Sequence, residues 1–451
     1  MAEESETPFS FNPSEKIVNT EEKENESFFN KNKKIILIVV GGLLLVGIVV
    51  LILILVLRGK GESSQSSELE IKRSNNYLLG KYEIPSDSLE VTLYKTSSPL
   101  TPTVNYTENI LSVVIDDTKA ITTNDGKYKF DKKGNYNIYI YFKEEPLVVF
   151  ENFFFEAETL VEIDFSNFDT NEIISMASLF KGCDKLSKII YGKNFNTRNL
   201  KVMSEVFTSC TSLESVDLSV FDTSKVEKID SLFEGCTKLK SIDFTKINTK
   251  NVISMRRVFS GCQSLSSIDL GRFDTSKVTN FEHMFQKCTS MSTFNTEGWN
   301  TESAEDLTSM FEDCTSLIMI SLDNFNIKKV ADTSSMFKGC TQLKSITFKD
   351  LETPSLENME YMFENCKALT SLDLSSFNTP NLKEIKELFY GCSSLSSLDL
   401  SKFDTRLVSD LSSAFFGVPN NGTIIYNSTL LTTNVLNLVP EYWQKIEVDK
   451  I

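Results

Sequence analysis

Apolar and polar residues recur along this chain in a unit of about 26 residues. In one copy, Leu213–Leu218 alternates as a short strand with one apolar side. Thr223 occupies the position of a helix cap, and the apolar residues of Val226–Phe233 fall at the spacing of one helical face. Gly235 follows, where a helix end favours a left-handed residue. The pattern therefore predicts a strand, a turn and a helix in each copy.

The spacing of the cysteines gives the length of this repeat. The chain has nine of them, with a first interval of 27 residues and seven further intervals of 26. A fixed period of this length indicates a solenoid, in which one unit is stacked repeatedly on a continuous core. We predict a right-handed α/β solenoid of about ten coils over residues 158–418. The cysteines are Cys183, Cys210, Cys236, Cys262, Cys288, Cys314, Cys340, Cys366 and Cys392.

Different patterns flank the repeats and predict caps at both ends. Short alternating runs over residues 78–157 indicate a β-rich N-terminal cap. Within it, Tyr128–Phe130 and Tyr136–Phe142 flank an Asp-Lys-Lys-Gly-Asn turn and predict a hairpin. Residues 419–451 form the predicted C-terminal cap, with a helix ending near Trp443. Caps are expected because an open coil exposes apolar surface and unpaired strand groups.

Residues 35–57 form an uncharged run of 23 residues rich in Ile, Leu and Val. Such a run is long enough to cross a bilayer as one transmembrane helix, and we interpret it as an uncleaved signal anchor; a buried core helix is the alternative. Flanking lysines favour a cytoplasmic N-terminus and a C-terminal part outside the cell. Residues 1–34 then form a disordered cytoplasmic tail and residues 58–77 a flexible stalk. The expected location is the plasma membrane or cell surface.

Charge and short motifs narrow the set of partners. The net charge is −16, which disfavours nucleic acid because such binders present basic faces to phosphates. Asn105, Asn421 and Asn427 begin glycosylation sequons, and all three lie outside the repeats. They are glycosylation candidates for an exterior domain.

The copies resemble those of the BspA-like leucine-rich-repeat surface proteins. Leu395–Thr405 and Met336–Leu343 carry the resemblance, and the match spans about 260 residues. The resemblance implies a leucine-rich-repeat-like solenoid exposed on a cell surface. It also implies a role in adhesion to host or neighbouring cells.

Four columns of the repeat have structural interpretations. The cysteines are expected to be free, buried core residues, with pairing between adjacent coils as the alternative. A phenylalanine column and a second aromatic column that includes Trp299 are expected to form the core. The Asp, Asn or Glu before the capping position is expected to satisfy amides of the turn.

A fifth column points outward from the strands and is the candidate binding site. Like charges on strands about 4.8 Å apart repel, so these side chains need an explanation. One explanation is relief by neighbouring Ser, Thr and Lys and by water. The other is a stripe that binds a cation or a basic ligand. The column is Asp164, Asp217, Asp243, Asp269, Asn295, Ser321, Thr347, Asp373 and Asp399.

Catalysis finds little support in the sequence. The single histidine, His283, lies at a position that other copies fill with Ser, Arg, Tyr or Glu, as on a solvated face. Neither a zinc-ligand cluster nor a phosphate-binding glycine loop occurs, so no catalytic residue, metal or cofactor is assigned. We expect a non-catalytic recognition or adhesion protein that binds a macromolecular partner, basic or bridged by a cation. The alternatives are a structural surface coat and a receptor that signals through a recruited partner.

Overall fold

The computed structural model describes residues 71–123, 125–349 and 351–448. The predicted tail, the candidate membrane span at 35–57 and most of the stalk lie outside this part of the chain. Within the described ranges, no helix combines the length and apolar character needed to cross a membrane.

The N-terminal cap and the first coils share one sheet. Its strand order is β4-β3-β6-β1-β7-β8, where β8 is Lys188–Ile190, and β1 lies antiparallel between β6 and β7. The predicted hairpin between β5 and β6 is wrong, because β5 pairs with β2 while β6 pairs with β1 and β3. The strands are β1 (Tyr77–Ile84), β2 (Leu89–Thr92), β3 (Ile110–Ile115), β4 (Lys119–Ile121), β5 (Lys127–Phe130), β6 (Gly134–Phe142) and β7 (Leu160–Asn167). A 3-10 turn spans Tyr106–Glu108.

The repeats form a solenoid of about ten coils, as the sequence predicts. Each coil contributes one short segment to a parallel strand face, and a column of isolated parallel bridges joins successive coils elsewhere. Of the described coils, those around 265–275 and 291–301 carry no strand of three residues. The strands are β8 (Lys188–Ile190), β9 (Ser215–Asp217), β10 (Ser241–Asp243), β11 (Met319–Ser321), β12 (Ser345–Thr347), β13 (Ser371–Asp373) and β14 (Ser397–Leu400).

The predicted helix of each coil is absent from the described repeats, and consecutive turns occupy its place. In one coil, Ser231, Phe233 and Gly235 donate their N–H groups to the next coil, at 2.7–2.9 Å. Leu232 and Glu234, which lie between them, each bond three residues back at 3.1 Å, whereas an α-helix bonds four residues back. Apolar residues spaced by about three positions face the core in both arrangements. The periodicity therefore could not distinguish turns from a helix.

Left-handed backbone at two positions in every coil produces this turn geometry. The later position is glycine in most coils, as Gly235 illustrates with a φ of 73°. The earlier position takes many residue types at φ between 51° and 60°, so it leaves no glycine signal in the sequence. The earlier position is Ser178, Glu205, Ser231, Arg257, His283, Ser309, Ser335, Tyr361, Glu387 and Ser413.

Two stacked columns fill the core. From Phe154 to Phe389, one ring per coil stacks on the next at centroid distances of 5.4–6.0 Å. Beside them, all nine cysteines are buried and free. Each thiol donates to the carbonyl of a stacked phenylalanine in the preceding coil, as Cys236 does to Phe207 at 3.0 Å. The cysteines thus pack as core residues and add a second hydrogen bond to a carbonyl that already accepts a backbone N–H, as Phe207 does from Cys210 at 3.1 Å.

The C-terminal cap continues the parallel face with β15 (Asn421–Tyr426) and β16 (Tyr442–Glu447). A short helix, α1 (Thr433–Leu436), connects them. Trp443 lies on β16 rather than at the end of a helix, which corrects the prediction. Its indole covers Gly422, and its Nε1 donates to the Pro419 carbonyl at 2.8 Å.

Substituting glycine at adjacent serines distinguishes the turns from a helix. Ser335 has φ +57° and is the left-handed residue, whereas Ser334 is not. We expect Ser335→Gly to leave the free energy of unfolding unchanged or raise it by up to about 1 kcal/mol. The matched control Ser334→Gly should lower it by about 0.5–1 kcal/mol. Urea denaturation measures both, and equal destabilisation by the two variants would contradict the turn assignment.

The thiols give a second prediction. Burial raises the pKa of Cys236 to about 12, and the other repeat thiols are shifted in the same direction. Because the thiolate is the reactive form, we expect no reaction of the native protein with Ellman's reagent. Nine thiols should react after unfolding in guanidinium without reductant. A lower count in the unfolded protein would indicate disulfides and refute the assignment.

Candidate functional site

Most side chains of the outward column accept a backbone hydrogen bond from the turn that follows their own strand segment. An Oδ1 atom of Asp217 accepts the backbone N–H of Ser219, two residues on, at 2.8 Å. Asp243 accepts the equivalent bond from the N–H of Thr245. That bond stabilises the carboxylate and lowers the pKa of Asp243. One oxygen of each carboxylate is thus committed to the fold, and the explanation through local relief gains support. The same bond recurs at Asp164, Asp269, Asn295, Asp373 and Asp399, and with the hydroxyl of Ser321; among the described hydrogen bonds, Thr347 makes none of this kind.

The strand face is interrupted at specific coils. At three coils, those of Leu218, Leu322 and Leu374, a leucine ends the strand segment and its N–H bonds to the next coil, as Leu322 does to the Thr347 carbonyl at 2.9 Å. Leu270 occupies the same position but makes no such bond among the described hydrogen bonds. After Phe244 and Phe348, which replace that leucine, the next described coil is not paired through its strand segment. Tyr191 precedes a third break, although β7 pairs with β8 despite Phe165.

The two phenylalanines open equivalent clefts. Phe244 meets Phe273 of the next coil edge-on at 5.0 Å, and Phe348 meets Phe377 edge-on at 5.0 Å. The first cleft has a volume of about 430 Å³ and the second about 410 Å³. Their positions differ by 104 residues, or four repeats of 26. The sequence signal is the aromatic residue at a leucine position, which the sequence analysis did not single out.

Both clefts carry charges of both signs. Asp243 and Asp269 of the outward column line the first cleft together with Lys240 and Arg272. In the second cleft, Thr347 and Asp373 of the column lie with Lys349 and Lys402. The structure therefore divides the predicted acidic stripe into separate mixed-charge sites.

An apolar spot lies on the strand face between the clefts. Ile318 is 40% exposed and Met319 is 57% exposed. The corresponding residues of the next coil are Lys344 and Ser345, and the other coils carry polar residues at both positions except the first, which has Val161. Exposed large apolar side chains in a polar setting are typical of a binding surface. The sequence analysis did not single out these two residues.

Trp299 belongs to the core, as predicted. It is buried and stacks on Phe325 at a centroid distance of 5.9 Å. Its ring also packs against Phe281 at 5.5 Å and Phe294 at 5.3 Å. The side chain therefore stabilises the coil contacts rather than the surface.

A cluster of like charges lies at the column of isolated bridges, where Glu384 and Asp410 are bridge residues and Glu360 lies beside them. One carboxylate oxygen each of Glu360, Glu384 and Asp410 lies within 4.8 Å of the others. Partial burial, followed by repulsion from Glu384, raises the pKa of Glu360. Calcium takes six to eight oxygen ligands, and three single oxygens fall well short of that number. We interpret the cluster as a local source of electrostatic strain.

His283 is held by an ion-pair network. Its Nε2 lies 2.9 Å from Oε1 of Glu282, and Arg256 Nε donates to the other oxygen of Glu282 at 2.7 Å. Burial lowers the pKa of His283. The sequence placed this residue on a solvated face, whereas the structure makes it a half-buried, left-handed turn residue.

The glycosylation candidates differ in accessibility. Asn105 and Asn421 are exposed and remain candidates. Asn427 is buried, and its Oδ1 accepts the N–H of Thr429 at 2.9 Å. An N-linked glycan on Asn427 would require this buried amide to leave the C-terminal cap, so the folded protein disfavours that candidate.

Comparison with known proteins identifies a family and several similar folds. The family model described as "Mycoplasma protein of unknown function, DUF285" matches residues 148–265, 239–345 and 317–426. No curated protein matches the chain. A leucine-rich repeat protein from Bacteroides ovatus is 16% identical, covers 73% of this chain and 90% of its own, and has a TM-score of 0.31.

Two other solved structures have lower scores. The T. pallidum leucine-rich repeat protein is 15% identical over 66% of this chain and 91% of its own, with a TM-score of 0.24. The complex of TLR13 with ssRNA13 is 16% identical over 62% of this chain and 43% of that chain, with a TM-score of 0.23. The description of the fold therefore rests on the coils of this chain.

The carboxylate cluster predicts a pH-dependent stability. Below a pH of about 4, Glu360 is protonated in both the folded and the unfolded chain and costs nothing. Folding raises the pKa of Glu360, so the unfolded chain loses this proton first as the pH rises. The folded state is therefore destabilised as the pH rises from the unfolded to the folded pKa, and it stays destabilised at neutral pH. We expect Glu360→Gln to raise the melting temperature by about 1–2 °C at pH 7.5 and low salt.

The neighbouring Glu357 provides the control. It forms a 2.6 Å ion pair with Lys383, so Glu357→Gln should leave the melting temperature unchanged or lower it. Calorimetry at pH 4 and pH 7.5, with and without 0.5 M salt (roughly a 4 Å screening length), measures both variants. A gain for Glu360→Gln that is the same at both pH values would refute the assignment.

Proposed function

This chain belongs to the family described as "Mycoplasma protein of unknown function, DUF285", and we propose that it is a non-catalytic recognition protein whose strand face binds a macromolecular partner. Repeat solenoids commonly present extended surfaces for binding proteins. The proposal places the contact at the middle of the array.

The observation that carries this proposal is the exposure of Ile318 and Met319 on a face that is otherwise polar. Stable interfaces have an apolar centre surrounded by a polar rim. Ser, Thr, Asp and Lys side chains supply the rim here. The clefts at Phe244 and Phe348 lie on either side of the centre along the chain and offer both acidic and basic side chains.

Rigidity of the scaffold supports the same function. The stacked phenylalanines and the hydrogen bonds between coils fix the spacing of the exposed residues before any partner binds. A preorganised surface loses less conformational entropy on binding. The outward carboxylates, each with one oxygen left by its turn bond, favour a basic or cation-bridged partner.

We also propose that the recognition takes place outside the cell. Residues 35–57 would act as a signal anchor, with residues 1–34 inside the cell and the solenoid outside. Three sequence features support this location: the uncharged run, the exposed sequons at Asn105 and Asn421, and the resemblance to BspA-like surface proteins.

A structural coat is the second candidate function, and one observation favours it. Strand β16 pairs with β15 on one side and forms the edge of its sheet. Tyr442 on this strand is 75% exposed, and Ile446 is also exposed. An open edge with exposed apolar residues can pair with a second copy. Self-association that is lost in a Tyr442→Lys variant, without partner binding, would favour this function.

Restoring the repeat pattern at the apolar spot tests the recognition proposal. We expect the full chain to bind at least one member of a panel of animal cells and purified matrix proteins, screened with and without calcium. The double variant Ile318→Lys/Met319→Ser carries the residues of the next coil. It should lose at least tenfold in affinity, because central apolar anchors contribute about 2 kcal/mol or more.

Ile253 provides the matched control, since it is 54% exposed but lies outside the strand face. Ile253→Ser should leave the affinity unchanged. Circular dichroism should give the same melting temperature for the wild type and both variants. Binding that is equally strong in the double variant would contradict the proposed site, and an absence of binding across the whole panel would contradict the function.

A further inference from the structure

A polar groove lies where the N-terminal cap meets the first two coils. Its volume is about 780 Å³, within the usual range for ligand sites. It is formed by the start of β1 and by the loops that follow β7 and β8. Six asparagines contribute to its lining, together with two phenylalanines and a few charged residues. The asparagines are Asn75, Asn76, Asn167, Asn171, Asn194 and Asn196.

The one irregular interval of the repeat falls in this groove. Tyr191 and Phe195 are four residues apart, whereas the equivalent Leu218 and Phe221 are three apart. The extra residue of the 27-residue interval therefore lies between Tyr191 and Phe195. A Cβ atom at Gly192 would overlap the backbone of Ser166, so the loop rests directly on the preceding coil. Lys193 and Asn194, which follow it, are exposed at the groove.

Hydrogen bonds hold several of the amides in fixed orientations. Asn76 accepts the N–H of Asp169 at 3.0 Å and donates to the Lys143 carbonyl at 3.1 Å. Asn196 donates to Asn171 at 2.7 Å. These bonds use only part of the capacity of each amide, which has two donors and an acceptor with two lone pairs. Asn171 also donates to Asp169 at 2.7 Å, and Asn196 also accepts the N–H of Arg198 at 3.1 Å. These amides are therefore fixed before a ligand binds, which reduces the entropy lost on binding.

Other amides are open to a ligand. Asn75 and Asn194 are exposed and make no side-chain hydrogen bond among the described residues. Asn167 donates to the Tyr77 hydroxyl at 2.8 Å, while its Oδ1 accepts no described bond. The groove therefore presents donors and acceptors side by side.

An aromatic ring adds an apolar patch to the polar lining. Phe195 is half-buried and packs against Tyr191 at 4.8 Å and Phe221 at 5.0 Å. Phe168 lies beneath the surface and is buried. The partly exposed ring gives the groove one apolar contact surface.

These features match the chemistry of a sugar. Each hydroxyl of a sugar both donates and accepts, as an amide does, and the C–H face of a sugar ring packs on an aromatic surface. The charged residues that line the groove are Lys193, Glu144 and Asp169. Because they are few and of mixed sign, a strongly charged ligand is disfavoured.

A peptide added as a new strand is also disfavoured. Strands β1 and β7 are each paired on both sides, so neither offers an open edge. Strand β8 is unpaired on one side but is only three residues long, which is a short template for strand addition. We propose that this groove binds a short neutral oligosaccharide. The site is separate from the apolar spot at Ile318 and Met319 and does not depend on the function proposed for it.

Calorimetry and saturation-transfer NMR of the full chain test this site. The probes are maltotriose, cellotriose, mannotriose and chitotriose. We expect at least one to bind, with saturation transferred to its ring protons. The double variant Lys193→Ala/Asn194→Ala should lose at least tenfold in affinity for that sugar.

The control is the same loop of a regular coil. Thr245→Ala/Lys246→Ala lies in a coil without the extra residue and should bind the sugar as the wild type does. The variant Ile318→Lys/Met319→Ser should also retain sugar binding, which separates this test from that of the strand face. The proposal is overturned if none of the four sugars binds, if the groove variant binds normally, or if an uncharged glycine–serine peptide binds there instead.

Discussion

The hydrogen bonds between the turns of adjacent coils are the interaction on which the rest of this structure depends. In each coil, alternate N–H groups, such as those of Ser231 and Phe233, bond to the next coil, while the groups between them close the turns. This division satisfies the backbone without a helix and fixes the spacing between coils. The phenylalanine rings and the thiols stack at that same spacing. The columns of the sequence are therefore consequences of one repeated backbone contact.

The surface of the solenoid varies where this regularity is relaxed at low cost. Phe244 and Phe348 interrupt the strand face, but the bonds between the turns continue through both coils, so the solenoid tolerates the two clefts. Similarly, the extra residue near Gly192 lies in a loop that follows a strand, where it changes the surface without shifting the core. The fold can thus vary its strand face and loops while the turn side stays fixed.

The sequence predicted the periodic parts of this fold better than the local ones. The spacing of the cysteines and phenylalanines was sufficient to infer a solenoid, because such columns have to coincide in stacked coils. The helix prediction failed because left-handed backbone at residues such as Tyr361 and His283 has no residue signature. The hairpin prediction failed because partners of β5 and β6 are distant in the chain.

Of the candidate site, strand alternation was sufficient to predict that the column faces outward, whereas its role as a binding stripe stays a prediction. The bond from Ser219 to Asp217 depends on a turn whose geometry the residue types only suggest. The exposure of Met319 depends on the alignment of a whole coil against its neighbours. Burial of Asn427 depends on the C-terminal cap, whose arrangement has no repeat to reveal it. These features are set by tertiary packing.

The bond from each thiol to the coil before it has a mechanical consequence. A tensile load along the solenoid axis would detach terminal coils one after another, since each coil holds only its neighbours. Every coil that separates would uncover one previously inert sulfur. The number of sulfurs accessible to a reagent would therefore record how far the array had been peeled apart.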